Sequence, residues 1–425
     1  MRAALWFLAL FGMAVAIALF AGNNQGTITL FWPPYRVDVS LNLVLLLLAL
    51  FFFVLHVALR ALAALFSIPV QAQRWRLQHH ERALHTALLD ALSHLIAGRF
   101  IRAKKAAEAV LARESAMASS GETLVYSARL RTLSHLLAAE SAQVLQDKSA
   151  RETHFRQALE QASRREAHET RDGVQLRAAR WALEDRDAPA ALQWLDELPQ
   201  GAARRTLALR LRLKAARMAR RTRLALETGR LLAKHRAFSE IAAVGIVRGL
   251  ALEYVATAHD PQQMQDIWRQ LDETERGTPE VAVAACRRML SLGGDVAATL
   301  NWLLPVWERM VTQPPVLTEA QRVDLIQALQ AGFALAQGTP DAQWLGRIEQ
   351  AQMANPADAV LQYLAGITCM RLQLWGKAQQ LLKQSLPRLQ DSALERSAWT
   401  ALAELAEQRG DVAAATQAWK SAATV

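Results

Sequence analysis

The chain has 425 residues, 52% of them hydrophobic and 21% charged, with a formal net charge of +10. It is too long for one compact core and suits an anchor followed by a helical array; its Ala-, Leu-, Arg-, Glu- and Gln-rich body leaves few β-branched residues from which to build sheets. Two cysteines, Cys286 and Cys369, exclude a disulfide framework or a C-x-x-C pair and fit a reducing compartment. Both lie in apolar helical runs and read as small buried core residues.

In chain order, residues 3–21 form an uninterrupted run without charge. Residues 41–59 form a second, with four consecutive leucines at 45–48 and three phenylalanines at 51–53. A helix needs about 20 apolar residues to cross the hydrocarbon, so both runs predict transmembrane helices, at about 3–21 and 41–60. Arg2 precedes the first, and Arg60, Arg74, Arg76 and Arg82 follow the second. The loop 22–40 holds Arg36 alone, beside Asp38. The positive-inside rule then predicts a multi-pass inner-membrane protein with both termini cytoplasmic and the loop on the outer, periplasmic side. The rival reading is a signal peptide cleaved near Ala21. Its n-region holds a single Arg, and the second span would still keep the rest inside.

Within the loop, residues 27–31 and 35–39 partly alternate polar and apolar around Pro33-Pro34. This predicts two short extended segments about a Pro turn, docked at the membrane surface, with Trp32 and Tyr35 suited to the interface. A plain connector is the other reading. His56, one turn before Arg60, is an ionisable group in a span and hence a functional candidate. It lies near the cytoplasmic end, where a neutral His costs little.

Residues 71–425 read as one cytoplasmic domain of helices and short breaks, with roughly 18 helical stretches of about 12 to 17 residues. Asp260-Pro261, Thr278-Pro279, Thr339-Pro340 and Asn355-Pro356 each place a capping residue before a Pro and predict helix starts. Near the end, Gly366, Trp375, Ala378 and Leu382 recur 37 residues on as Ala403, Val412, Ala415 and Trp419. Trp399, Leu402, Ala403, Gly410, Ala415 and Ala422 fall close to tetratricopeptide spacing. Upstream, Ala97-Gly98-Arg99-Phe100 with Ala103 and Ala107, and residues 186–198 with Ala191 and Leu195, suggest further units. A period near 34 allows about ten helix pairs. The predicted fold class is all-α: two N-terminal transmembrane helices (anchor 1–70), then a tetratricopeptide-like solenoid (71–425).

No G-x-G-x-x-G, G-x-x-x-x-G-K-[ST] or G-x-S-x-G occurs, so no nucleotide site or catalytic residue is assigned. His80-Glu81 with His85 resembles a zinc-protease motif. Five residues instead of four put the rings about 140° apart on a helix, so no metal site is assigned. His79, His80 and Glu81 could ligate haem or contact headgroups, and read otherwise as a solvated face. Residues 204–236 carry twelve Lys or Arg against Glu227 alone. That charge could attract nucleic acid, anionic lipid or an acidic partner. Missing aromatics argue against nucleic acid, and an anionic leaflet nearby favours lipid or a protein over it; the leading reading is a solvated face of the solenoid.

The layout as a whole resembles the HemY family of proteobacterial inner-membrane proteins. The resemblance is carried by the first span, the loop Gly26-Thr27-Ile28-Thr29-Leu30…Tyr35-Arg36-Val37-Asp38-Val39-Ser40, a second span ending in Arg60, and a basic stretch leading into residues 91–107 and helical repeats. It implies an association with a late step of haem (tetrapyrrole) biosynthesis and passes no catalytic residue to this chain. A flavin-dependent oxidase that shares the name would need a dinucleotide fingerprint absent here. The expected function is a non-enzymatic membrane scaffold that organises haem-biosynthesis enzymes, with membrane lipid as a second partner. The alternatives are a haem- or porphyrin-binding protein using His56, His79 and His80, and a general envelope-assembly scaffold.

Overall fold

The computed structural model describes residues 2–23, 25–121, 124–313, 316–336 and 342–425. The expected helix start at Thr339-Pro340 lies outside them. The chain divides into two compact units, Met1–Ala167 and His168–Val425.

In the first unit, helix α1 (Arg2–Asn23) leads to strands β1 (Thr27–Trp32) and β2 (Tyr35–Ser40), which form an antiparallel hairpin. The two extended segments around Pro33-Pro34 are therefore paired strands. Helix α2 (Leu41–Ile96) follows at once, with the Ser40 hydroxyl accepting from the Leu43 amide. It is 56 residues long, about 84 Å at 1.5 Å per residue. The second apolar run and the first repeat helix are thus one element, and residues 70 and 71 lie inside it. Its stretch Leu41–Leu62 is long and apolar enough to cross a membrane, and none of its residues is buried by the rest of the chain. In α1 the described apolar stretch is the shorter Leu10–Leu19. Helices α3 (Phe100–Ser119), α4 (Ser127–Val144) and α5 (Lys148–Ala162) complete the unit. α2 pairs with α3 and α4 with α5.

The second unit contains α6 (His168–Glu184), α7 (Ala188–Asp196), the single turn α8 (Gln200–Ala203), α9 (Thr206–Met218), α10 (Thr222–Lys234) and α11 (Glu240–Val255). It continues with α12 (Pro261–Gln270), α13 (Glu273–Arg276), α14 (Pro279–Ser291), α15 (Val296–Trp302), α16 (Leu304–Thr312) and α17 (Glu319–Leu335). It ends with α18 (Ala342–Ala354), α19 (Ala359–Arg371), α20 (Trp375–Ser385), α21 (Ser392–Gln408) and α22 (Val412–Thr424). Successive first helices pack on one another (α11 on α14, α14 on α17, α17 on α19, α19 on α21), the arrangement of a tetratricopeptide-like solenoid.

One turn recurs in both units. A residue with left-handed φ ends the first helix, and the next amide bonds the carbonyl five residues back. Arg236 and Gly293 make this turn after α10 and α14, and between the helices of a pair the left-handed residues include Gly98, Gln146, Arg186, Arg220, Gln373 and Gly410. The closing bonds run from Arg99 to His94, Asp147 to Ala142, Asp187 to Ala182, Arg221 to Ala216, Leu374 to Cys369 and Asp411 to Ala406, at 2.7–3.0 Å. Where that next residue is Asp147, Asp187 or Asp411, its carboxylate also caps the second helix, at 3.0 Å. Seven residues before the turn stand Ala91, Ala139, Ala179, Gly366 and Ala403, and five residues after it Ala103, Ala191, Ala225, Ala378 and Ala415; these alanines are all buried. Small side chains at both places let the two helices of a pair approach closely. At Gly366 there is no room even for a methyl group, since a Cβ there would stand 2.8 Å from Leu382 Cγ.

Arginines on one first helix pair with acids on the next: Arg217 with Glu253 (2.8 Å), Arg248 with Glu280 (2.8 Å), Arg287 with Asp324 (2.9 Å) and Arg322 with Asp358. The first three pairs are substantially exposed and add little each, while Arg322–Asp358 is largely shielded; the stack is held mainly by its apolar core. That core includes stacked Trp268 and Trp302, with centroids 4.6 Å apart, and a buried Tyr363 whose hydroxyl joins Gln330 and Ser397 at 2.7 Å.

Two of the expected helix starts hold. Pro261 opens α12 with Asp260 capping the Gln263 amide, and Pro279 opens α14, although the Thr278 hydroxyl donates back to the Thr274 carbonyl. Asn355-Pro356 corrects the expectation. The helix begins at Ala359, because Asp358 takes the cap through the Val360 and Leu361 amides, while the Pro356 carbonyl accepts from the Gln362 side chain.

Candidate protein-interaction site

The sequence gathers positive charge in α9 and α10, and the fold divides that charge into two classes. Arg205, Arg212, Arg217, Arg223 and Arg230 pair with Asp172, Asp196, Glu253, Glu227 and Glu275. Only Glu227 comes from the basic stretch itself. By contrast Arg204, Lys214, Arg220, Arg221, Lys234 and Arg236 are exposed and have no carboxylate partner among the described residues, and three of them, Lys214, Lys234 and Arg236, line clefts.

These three cations border a cleft of about 850 Å³ and a second of about 610 Å³, which share Phe238 as a wall. The larger is framed by the end of α10 (Arg230, Lys234), the turn Arg236–Phe238, the first turns of α11 (Val244, Arg248), and Asp272 to Thr278. The smaller is lined by Arg210, Lys214, Arg217 and Glu253.

Arg230 is a structural post. Its Nε donates to Glu275 Oε1 at 2.8 Å and its Nη2 to Oε2 at 2.5 Å, with Asp272 at 3.3 Å. Bonding to the Glu275 carboxylate holds the Arg230 pKa above the ordinary arginine value. Glu275 is buried and also accepts the Asp272 amide at 3.0 Å, closing a capping box on α13. Arg210 donates to the Ala237 carbonyl at 2.9 Å and sits 6.0 Å from the centre of the Phe238 ring, so it fixes the wall.

Helix α11 supplies the apolar part. Ile241 is 89% exposed and Val244 63%, on a helix whose later residues Leu250, Ala251, Tyr254 and Val255 are core. Apolar side chains facing solvent beside unpaired cations suit an amphipathic peptide that carries acidic groups.

The histidines singled out from the sequence lie along α2, with His79 and His80 adjacent and His56 far from both. His56 is in the apolar run, 23 residues and about 35 Å from His79, so the two cannot share one ligand. His79 stacks on Trp75 (5.5 Å between centroids) and approaches His80 at 6.3 Å. Glu81 accepts from the Tyr126 hydroxyl, and His85 stacks on that ring at 5.5 Å, which accounts for the protease-like pattern by packing. Burial, then Glu81, pushes Tyr126 up to about 12. Cys286 and Cys369 are buried, as expected, and burial pushes the Cys286 thiol up to about 12.

Sequence reasoning missed a histidine pair. His135 Nδ1 lies 3.1 Å from His154 Nδ1, and His154 Nε2 lies 3.6 Å from Glu108. Burial, with His154 and Arg131 nearby, lowers the His135 pKa to about 4. It also missed Phe238, Ile241 and Val244. The visible signal was an apolar helix opening directly after a basic run.

Residues 26–146 match the family model described as HemY protein N-terminus, so the HemY resemblance holds over the hairpin, α2, α3 and α4. No curated protein matches the chain. Among solved structures, the APC/C hetero-tetramer Cut9-Hcn1 aligns at 14% identity over 79% of this chain and 65% of that one, with a TM-score of 0.26. The P58(IPK) TPR domain aligns at 13% identity over 77% and 99%, with a TM-score of 0.23. Yeast Tom70 aligns at 12% over 80% and 69%, with a TM-score of 0.27.

Proposed function

We propose that this protein is a non-enzymatic, membrane-anchored scaffold that gathers haem-biosynthesis enzymes at the bacterial inner membrane through its helical repeats. The observation that supports the scaffold reading is the pair of clefts at α9–α11: Lys234 and Arg236, without a carboxylate partner among the described residues, line the larger together with exposed Val244, and Lys214 lines the smaller. The haem assignment is supported by the match to the HemY N-terminal region.

In this reading α1 and the Leu41–Leu62 stretch of α2 both cross the bilayer, with arginines 2, 60, 74, 76 and 82 holding both termini on the cytoplasmic side. Beyond Leu62 the same helix runs on to Ile96, about 51 Å, so the first repeat is carried on a helical strut with no loop between.

The test is capture of the full-length chain from detergent-solubilised membranes, beside a Lys234→Glu/Arg236→Glu variant. Tetrapyrrole-synthesis enzymes should co-purify with the first and be depleted from the second. Recovery of none, together with normal porphyrin levels in a deletion strain, removes the haem role. Equal recovery by both proteins moves the contact away from the clefts.

A further inference from the structure

The hairpin pairs Ile28 with Val39, Leu30 with Val37 and Trp32 with Tyr35. Side chains alternate along a strand and paired residues share a face, so these six apolar residues form one continuous surface. The opposite face carries Thr27, Thr29, Arg36, Asp38 and Ser40, with one exposed apolar side chain, Phe31. It is internally bonded: Thr29 Oγ1 donates to Asp38 Oδ1 at 2.7 Å, Arg36 lies 3.6 Å from Asp38, and its guanidinium sits 5.4 Å from the centre of the Phe31 ring.

The apolar face has little cover within the chain. Leu30 is 54% exposed, Trp32 73%, Tyr35 72% and Val37 51%. A lone two-stranded hairpin is at best marginally stable in water, so a surface of this kind calls for a covering layer. Its position says which one. The Leu41 amide donates to the Gly26 carbonyl at 2.8 Å and Ser40 caps α2, which ties the base of the hairpin to the first residue of the apolar stretch Leu41–Leu62. Trp and Tyr at the tip are the side chains that favour the bilayer interface.

We propose that the hairpin is an amphipathic β-element lying on the outer leaflet, its Ile28-to-Val39 face sunk into the boundary between headgroups and acyl chains. The polar face meets the periplasm. This rests on the reading of α2 as a membrane span. It differs from a plain connector in making the loop a second lipid contact that fixes how α2 enters the bilayer.

The test is nitroxide labelling of the full-length protein in phosphatidylethanolamine/phosphatidylglycerol vesicles, with Cys286 and Cys369 left in their buried places. Labels on Leu30→Cys and Val37→Cys should be relaxed several-fold more by oxygen than by a water-soluble nickel complex. Labels on Thr27→Cys and Arg36→Cys should show the reverse, and Phe52→Cys should report lipid as the span control. The proposal is overturned if Leu30 and Val37 labels are as open to nickel as the Thr27 label. It is equally overturned if they are shielded from both relaxants with spin–spin broadening, the mark of a second copy covering the face. Nickel access at Phe52 would sink the span reading, and this inference with it.

Discussion

Two glycines inside first helices of repeat pairs should respond to a methyl group with opposite signs. At Gly249 in α11, a Cβ would meet nothing within 4 Å. Alanine exceeds glycine in a helix interior by about 0.8–1.0 kcal/mol, so Gly249→Ala should stabilise by that amount. At Gly366 in α19, a Cβ would lie 2.8 Å from Leu382 Cγ, 2.9 Å from Cδ2 and 3.3 Å from the Leu382 backbone nitrogen. Leu382 is fully buried, and its Cγ is not a free chain end, so α19 and α20 must part. Overpacking of this kind costs about 1–3 kcal/mol, which the same propensity gain offsets only in part. Gly366→Ala should therefore lose about 0–2 kcal/mol, and Gly366→Leu about 3 kcal/mol or more. Thermal melts of the purified full-length protein followed by far-ultraviolet circular dichroism read the difference, at about 2–4 °C per kcal/mol for a unit of this size. If Gly366→Ala melts as high as Gly249→Ala, the close approach at Leu382 is not what holds this pair together.

Further outcomes follow from the charged and titratable groups. Arg230→Met leaves the buried Glu275 without its cation. Removal of one partner costs about 3–5 kcal/mol in a fully buried pair, and with Arg230 a quarter exposed the loss should be about 2–3 kcal/mol. Adding Glu275→Gln should recover part of it, and a double-mutant cycle showing no coupling would refute the assignment. His135 titrates near 4 when folded against 6.5 when free, so the unfolded chain binds more protons between those values. Stability should be flat in this respect above pH 6.5 and fall as pH drops toward 4. The His135→Gln variant should lose that part of the slope in pH-dependent melts. Both thiols should resist an aromatic disulfide reagent in the native protein and react together on unfolding; fast native reaction of either would contradict its burial.

Much of the fold was legible because its signals are local. Charge-free runs of span length, Asp or Thr before a helix-opening proline, and a glycine at the turn between paired helices are all read from adjacent residues. Gly98 and Gly410 marked their turns for this reason, as did the alanines around them. The same turn at Gln146, Arg186, Arg220 and Gln373 is made without glycine. A left-handed residue of this kind costs about 1–2 kcal/mol, and packing of the two helices offsets it, so these four pairs carry no glycine at the turn that defines them.

What the sequence determined by itself was the apolar start, the helical body, the buried cysteines and the excess of arginine. Which arginines stay free was decided only by the tertiary structure. The acids that neutralise Arg217, Arg230, Arg248 and Arg287 lie 32 to 45 residues further along the chain, and Coulomb attraction depends on distance in space. The strand register that sorts residues 28–39 into an apolar and a polar face is likewise a property of two segments together. The clefts beside Phe238 belong to this second kind: their walls come from α9, α10, α11 and the α12–α14 connection, and no one stretch of sequence contains them.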